Sequence, residues 1–148
     1  MSREGTLVVY LAGKMNGLSY DEMNKWRIRA DAALHNAGYT TGTKVRANNP
    51  VNYYNFEKQE YQSDKEVMDF DLALIKKSDI VLVNLDGLDS SIGTAIELYE
   101  CMNSKIPVIP FGTDNAYWKL HPWVSLCITR KDDSIESSVE YIKNFYMR

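Results

Sequence analysis

Residues 80–110 read IVLVNLDGLDSSIGTAIELYECMNSKIPVIP, and this stretch decides the fold. Ile80-Val81-Leu82-Val83 is an unbroken apolar run, which suits a parallel strand buried on both faces better than the alternating strand of a half-exposed sheet. Asn84 to Ser91 is loop chemistry. Thr94 to Met102 then brings helix formers with apolar residues three and four apart. Ile106 to Phe111 is a second apolar strand entered through Pro107, so the stretch reads as one right-handed strand, helix, strand crossover.

Inside that unit Glu97 lies about a turn and a half into the helix, and helical side chains lean back toward the N-terminus. Gly93, four residues earlier on the same face, leaves space before the carboxylate for a ligand. Open α/β sheets bind small molecules at the carboxyl ends of their strands, where helix N-termini offer unpaired N–H groups. Spacing alone leaves two readings: a ligand-facing carboxylate, or an ordinary exposed helix glutamate above a loose first turn.

Working outward, 148 residues make one domain with a single substantial core, residues 1–148. The apolar fraction of 45% and charged fraction of 25% are those of a soluble globular chain, and no window reaches the length of a membrane span. The N-terminal Met1-Ser2-Arg3-Glu4-Gly5 lacks the apolar centre of a secretory signal, and Cys101 and Cys127 sit in apolar segments as reduced core residues. A cytoplasmic setting is expected. A net charge of −3 with scattered basic residues argues against a nucleic-acid polymer as partner. His35 and His121 stand alone, so no metal is expected.

Upstream, Leu7 to Ala12 is another buried strand and runs into Gly13-Lys14-Met15-Asn16-Gly17, a flexible loop and second piece of site. Ser19 to about Asn36 is an amphipathic helix with Trp26, Ile28, Ala30, Ala33 and Leu34 as its stripe, Ser19 and Glu22 as a capping box and Gly38 as the stop. Threonine-rich Tyr39 to Val45 is read as a strand, and Asn48 to Asn52 as an exposed loop of turn residues and amides. The aromatic segment Tyr53 to Gln62 has two readings, a cover for the sheet edge or a neighbouring subunit, and a platform for a flat heterocycle. Ser63 to Glu66 opens a helix ending near Ser78, with Val67, Phe70, Leu72, Leu74 and Ile75 toward the core and Asp69 and Asp71 along it. Tyr117, Trp118 and Trp123 are expected to pack, with His121 a structural residue rather than a catalytic acid. Val124 to Ile128 reads as the last strand and Ser134 to Phe145 as the closing helix. The pattern predicts an α/β, flavodoxin-like, open doubly wound sheet of five parallel strands in the order 2-1-3-4-5.

Three fragments, Tyr10-Leu11-Ala12-Gly13, Asp71-Leu72-x-x-Ile75 before Ser78-Asp79-Ile80, and Gly93-Thr94-Ala95-Ile96-Glu97-Leu98, resemble the nucleoside 2-deoxyribosyltransferase family and its nucleotide N-glycosidase relatives. The resemblance implies that Glu97 is the nucleophile at the anomeric carbon, Asp71 a carboxylate assisting the departing base and Tyr10 the orienter of the nucleophile. Gly13, Lys14, Asn52, Asp86, Asp89, Ser91, Gly93 and Thr94 become the substrate-binding candidates. It further implies a covalent glycosyl-enzyme passed to a base or to water with net retention, no cofactor, small nucleosides or nucleotides and free bases as partners, and a homo-oligomer.

One position departs from the pattern. Two residues before the glycine of the GTAxE motif many transferases carry an aspartate, and here that position is Ser91. A serine at a helix N-terminus accommodates a 5′-phosphate, as in the hydrolases, and Lys14 would assist. Asp86 and Asp89 bring negative charge to the same loop, and the arginine of those hydrolases is missing from Lys14 to Gly17. Nucleoside transferase is the preferred expectation. A 5′-monophosphate N-glycosidase and a non-catalytic nucleotide-binding domain are the alternatives.

Overall fold

Strand β1 (Thr6–Ala12) is central because its residues are apolar on both sides. The computed structural model describes residues 5–53 and 61–147. β1 pairs in parallel with β2 (Lys44–Asn48) and with β3 (Ile80–Asn84), and β3 pairs in parallel with β4 (Val108–Phe111). The order is β2-β1-β3-β4. Strand alternation splits the core into two layers. Leu7, Val9, Leu11, Ile80, Leu82, Ile109 and Phe111 face helices α1 (Tyr20–Thr41) and α6 (Ile135–Tyr146). Tyr10, Ala12, Val81, Val83 and Val108 face α2 (Asp64–Lys76) and α3 (Ile92–Asn103). Tyr10 therefore points into the layer that carries Asp71 and Glu97.

The opening stretch folds as expected, with α3 beginning at Ile92 under a Ser91 cap and β4 beginning at Val108. The capping boxes Ser19/Glu22 and Ser63/Glu66 are both formed. Elsewhere the structure corrects the sequence reading. Among the described residues the sheet has four strands, not five. The expected strand Val124 to Ile128 is instead helix α5 (Pro122–Ser125) and a following turn, because Pro122 occupies the first helical turn and His121 Nδ1 accepts from Trp123 N at 3.1 Å. Between β4 and α5 lies a further short helix, α4 (Asp114–Trp118).

The strand expected at Tyr39 to Val45 begins only at Lys44, since α1 runs on to Thr41. Thr40 and Thr41 return their hydroxyls to Asn36 O and Ala37 O, both at 2.9 Å, so these β-branched residues finish a helix. The stop is Gly42, at φ 74°, rather than Gly38. Gly38 answers a packing need: a Cβ there would lie 2.6 Å from Thr43 O and Val45 Cγ2.

Three exposure expectations also change. Asn48 to Val51 are buried rather than exposed, with Asn49 Nδ2 donating to Asn24 Oδ1 at 2.7 Å. Phe70 stays 39% exposed beside Tyr53, and Trp118 and Trp123 are 87% and 78% exposed instead of packed. Within the aromatic segment, residues 54–60 lie outside the described residues. Among the described residues no helix is long and apolar enough to cross a membrane.

The outer side of β4 has no strand beside it, yet its polar groups are used. Val108 N donates to Thr129 Oγ1 at 3.0 Å and Val108 O accepts from Thr129 N at 2.8 Å. Pro110 has no N–H, and its carbonyl accepts from Ser138 Oγ at 2.8 Å. Gly112 N donates to Asp132 O at 3.2 Å.

Candidate active site

The loops that follow β1 and β3, the first turn of α1, one face of α2 and the N-terminal turns of α3 line a cavity of about 810 Å³. Its size is that of a small-molecule site. Ser91 starts α3 by accepting from Thr94 N at 3.4 Å, and its hydroxyl shares a 2.8 Å hydrogen bond with Thr94 Oγ1. That cap fixes the helix so that Gly93 and Glu97 both line the cavity. A Cβ added at Gly93 would meet no atom within 4 Å, so the space before Glu97 is open.

Tyr10, fully buried, donates its hydroxyl to Glu97 Oε2 at 2.5 Å. Asp71 lines the same cavity from α2, and its buried Oδ1 has no hydrogen-bond partner among the described residues. Burial pushes the Glu97 carboxyl up to about 8; Tyr10's hydrogen bond and Arg27 oppose this, while Asp71 adds to it. Burial likewise pushes Asp71 up to about 7 against the pull of Arg27. The phenol of Tyr10 is held well above its ordinary value, by burial first and by the two carboxylates after it, so it stays a donor throughout. Between pH 7 and 8 the two carboxyls hold close to one proton between them, and Glu97 is the more basic of the pair. Tyr10's hydrogen bond offsets part of the burial that raises Glu97, and the unpartnered oxygen of Asp71 can take the proton when Glu97 ionises. One carboxylate and one carboxylic acid side by side is the equipment of nucleophilic and general-acid work.

The sequence candidates divide. Tyr10 reaches the cavity's carboxylate, and Gly13, Asp71, Ser91, Gly93, Thr94 and Glu97 line the cavity itself. Lys14 and Asp86 instead line a second hollow of about 310 Å³, and Lys14 Nζ donates at 2.8 Å to Oγ of Ser90, which lines the first cavity. Asp89 is exposed and borders neither space, and Asn52 is exposed on a 3-10 turn (Pro50–Tyr53) away from both. Gly13 permits a close approach, since a Cβ there would lie 2.8 Å from the Trp26 ring.

Sequence reasoning missed two features. Met15, Met23 and Met68, from three different elements, join Leu72 and Ile96 as apolar walls. Arg27, at 0% exposure, lies close enough for its charge to act on Tyr10, Glu97 and Asp71. Its signal was present: Arg27, Ala30, Leu34 and Ala37 share the buried stripe of α1, whereas Ile28, assigned to that stripe, is 60% exposed.

Comparison with known proteins decides the family. The model of the family described as nucleoside 2-deoxyribosyltransferase matches residues 9–139. The chain belongs to the nucleoside 2-deoxyribosyltransferase family. No curated protein matches it. Solved structures with a similar fold include a conserved protein from Enterococcus faecalis V583, 18% identical, with a TM-score of 0.73 over 94% of this chain and 98% of that one. Another is a 2-deoxyribosyltransferase from Bacillus psychrosaccharolyticus, 19% identical, with a TM-score of 0.55 over 90% and 91% of the two chains. At these identities the likeness is one of fold. As a nucleoside 2-deoxyribosyltransferase family member, the chain carries its three family fragments at the end of β1, along α2 and in the first turns of α3, around one cavity.

Proposed function

We propose that the protein cleaves the N-glycosidic bond of (deoxy)nucleosides through a covalent glycosyl-Glu97 intermediate and transfers the sugar to another base. The observation that carries this reading is the 2.5 Å hydrogen bond from Tyr10 to Glu97 beside the open space at Gly93. Tyr10 holds one carboxylate oxygen, leaving the other to attack C1′ of a sugar lying over Gly93. The bond from C1′ to the base nitrogen breaks as the ester to Glu97 forms, and the base takes its electron pair together with the proton of Asp71. An incoming base nitrogen then attacks C1′, the ester opens, Glu97 is restored and the incoming base's proton returns to Asp71. Two inversions give net retention.

Transfer competes with hydrolysis, and the apolar walls Met15, Met23, Met68, Leu72 and Ile96 favour a flat base over water as acceptor. A nucleoside is favoured over its 5′-monophosphate because groups suited to a phosphate are already engaged. Ser91 caps α3, Lys14 binds Ser90, and Lys65 binds Asp69 at 2.8 Å. The test incubates the protein with a deoxynucleoside and a second base, following exchange by chromatography and the enzyme by intact mass. Exchange products and a one-glycosyl mass gain, both absent in Glu97→Gln, are expected. Free sugar as the sole product assigns hydrolysis instead. Turnover by Glu97→Gln within tenfold of wild type removes the covalent mechanism.

A further inference from the structure

Arg27 is the largest fully buried side chain among the described residues, and it comes from the helix layer opposite to Asp71 and Glu97. Its guanidinium donates only to neutral carbonyls: Nε to Leu11 O at 3.3 Å, Nη1 to Met23 O at 2.5 Å and Nη2 to Gly13 O at 3.1 Å. Its face lies 4.7 Å from the centroid of the Trp26 ring. Two of those carbonyls belong to the last turn of backbone before the loop that walls the cavity through Gly13, Met15, Asn16 and Gly17. We propose that Arg27 is a positioning residue of the glycosyl-transfer site: without touching substrate, it clamps the loop after β1 and brings a fixed positive charge to the carboxyl groups of the site. The proposal rests on the role given to Glu97 above.

A purely structural role does not account for the residue. An isolated cation taken out of water costs several kcal/mol, and three carbonyls with one aromatic face compensate only part of that. An apolar side chain on the same stripe as Ala30 and Leu34 would pack without that cost. The ionisable groups coupled to Arg27 are those of the site, the carboxyls of Asp71 from α2 and Glu97 from α3 and the phenol of Tyr10 from β1, which stays neutral. Cys101, the other titratable group near Glu97 on α3, is pushed by burial to about 12 and stays neutral. The field is reciprocal: burial drives both carboxyls toward the protonated form, and Arg27 opposes it at each. A guanidinium suits this position because it keeps its charge where a buried ammonium tends to lose it. The fork also lets one side chain hold Leu11 O and Gly13 O together.

The test separates charge from packing. Glutamate labelled with ¹³C at the carboxyl reports the ionisation of Glu97 directly, its resonance assigned by loss in Glu97→Gln. In Arg27→Gln, which keeps donors for the carbonyls but not the charge, the midpoint of Glu97 is expected to rise by about one pH unit. In Arg27→Lys, whose buried ammonium tends to lose its charge, it is expected to rise as well, by less than in Arg27→Gln. In turnover, the acid limb of kcat follows the NMR midpoint in Arg27→Gln, with KM changed less than kcat. A Glu97 midpoint in folded Arg27→Gln equal to wild type overturns the proposal. Should that variant not fold, a raised Glu97 midpoint in Arg27→Lys supports the proposal and one equal to wild type overturns it. The titration needs no turnover, so a wild type that exchanges no base refutes the assigned reaction and leaves the test of Arg27 intact.

Discussion

Changing Tyr10 to Phe removes one oxygen and leaves the ring in its slot among Ala12, Ile75, Val81 and Val83. The lost interaction is a hydrogen bond to a carboxylate, of the kind that contributes about 1.5–3 kcal/mol. Because that bond stabilises the ionised form, its loss raises the Glu97 midpoint above about 8. At pH 7 a carboxyl with a midpoint near 8 is ionised roughly one time in ten, and a further unit makes it roughly one in a hundred. Tyr10→Phe is thus expected to lose about tenfold in rate at pH 7 from ionisation alone. Loss of orientation adds a part that no pH restores. The assay is the initial rate of base exchange from pH 5 to 10, with thermal melts at each pH to confirm folding. Both enzymes slow at high pH as Asp71 ionises, so the readout is the variant-to-wild-type ratio: its ionisation part should vanish above pH 9 and its orientation part should remain. A folded Tyr10→Phe with the wild-type acid limb and wild-type rate at pH 7 would refute the assignment of Tyr10 as the partner that activates Glu97.

Asp71→Asn should slow release of bases that must be protonated to leave far more than release of an activated leaving group; equal losses on both argue for positioning instead of proton donation. Stability should fall as pH rises. Glu97 and Asp71 titrate in the fold at about 8 and about 7, above their ordinary 4.5 and 3.8, so between those values the native state holds protons the unfolded chain has released. For Glu97 the window runs from 4.5 to about 8 and amounts to roughly 4–5 kcal/mol at about 1.4 per pH unit. Glu97→Gln should therefore melt several degrees higher than wild type at pH 8 and little differently at pH 4.5, and parallel melting curves across that range would contradict the buried carboxyl. Ser91→Asp should leave a deoxynucleoside's kcat/KM less affected than its 5′-monophosphate's, and a wild-type preference for the monophosphate reverses the substrate assignment. Exposed Trp118, Trp123 and Leu126, at 75% exposure or more, predict a homo-oligomer by light scattering; a monomer at micromolar concentration counts against it.

The parts of the fold legible in the sequence are those where local preference and burial agree. Ile80 to Val83 is apolar throughout because both its faces are covered, and Ser91, Gly93 and Glu97 sit where helix geometry alone requires. The misread parts are those where tertiary demands override a local signal. Thr40 and Thr41 look like strand and end a helix, and Val124 to Ile128 looks like strand but follows a proline and a capping histidine. The site was legible on α2 and α3. Lys14 and Asp86 were placed by nearness in sequence, and nothing in the letters shows that the Lys14 chain passes over Gly87 into a separate hollow. Arg27 was hidden because a charged residue on a helix is ordinarily solvated, and only its phase with Ala30 and Leu34 marks it as buried.

The missing fifth strand bears on how copies of this chain associate. A bare parallel strand at a sheet margin is a template on which another chain's strand can add, leading to continuous sheets or fibrous growth. Along β4 every outward polar group is already taken, by Thr129 at Val108, by Ser138 at Pro110 and by Asp132 at Gly112, and the proline offers no donor. Strand addition at this margin is closed, so assembly through this side has to proceed by contact between side-chain surfaces. Such contacts close or run on according to the rotation that relates two copies, and a substitution that frees part of the edge, Ser138→Ala with Thr129→Val, would add an open-ended route by strand pairing.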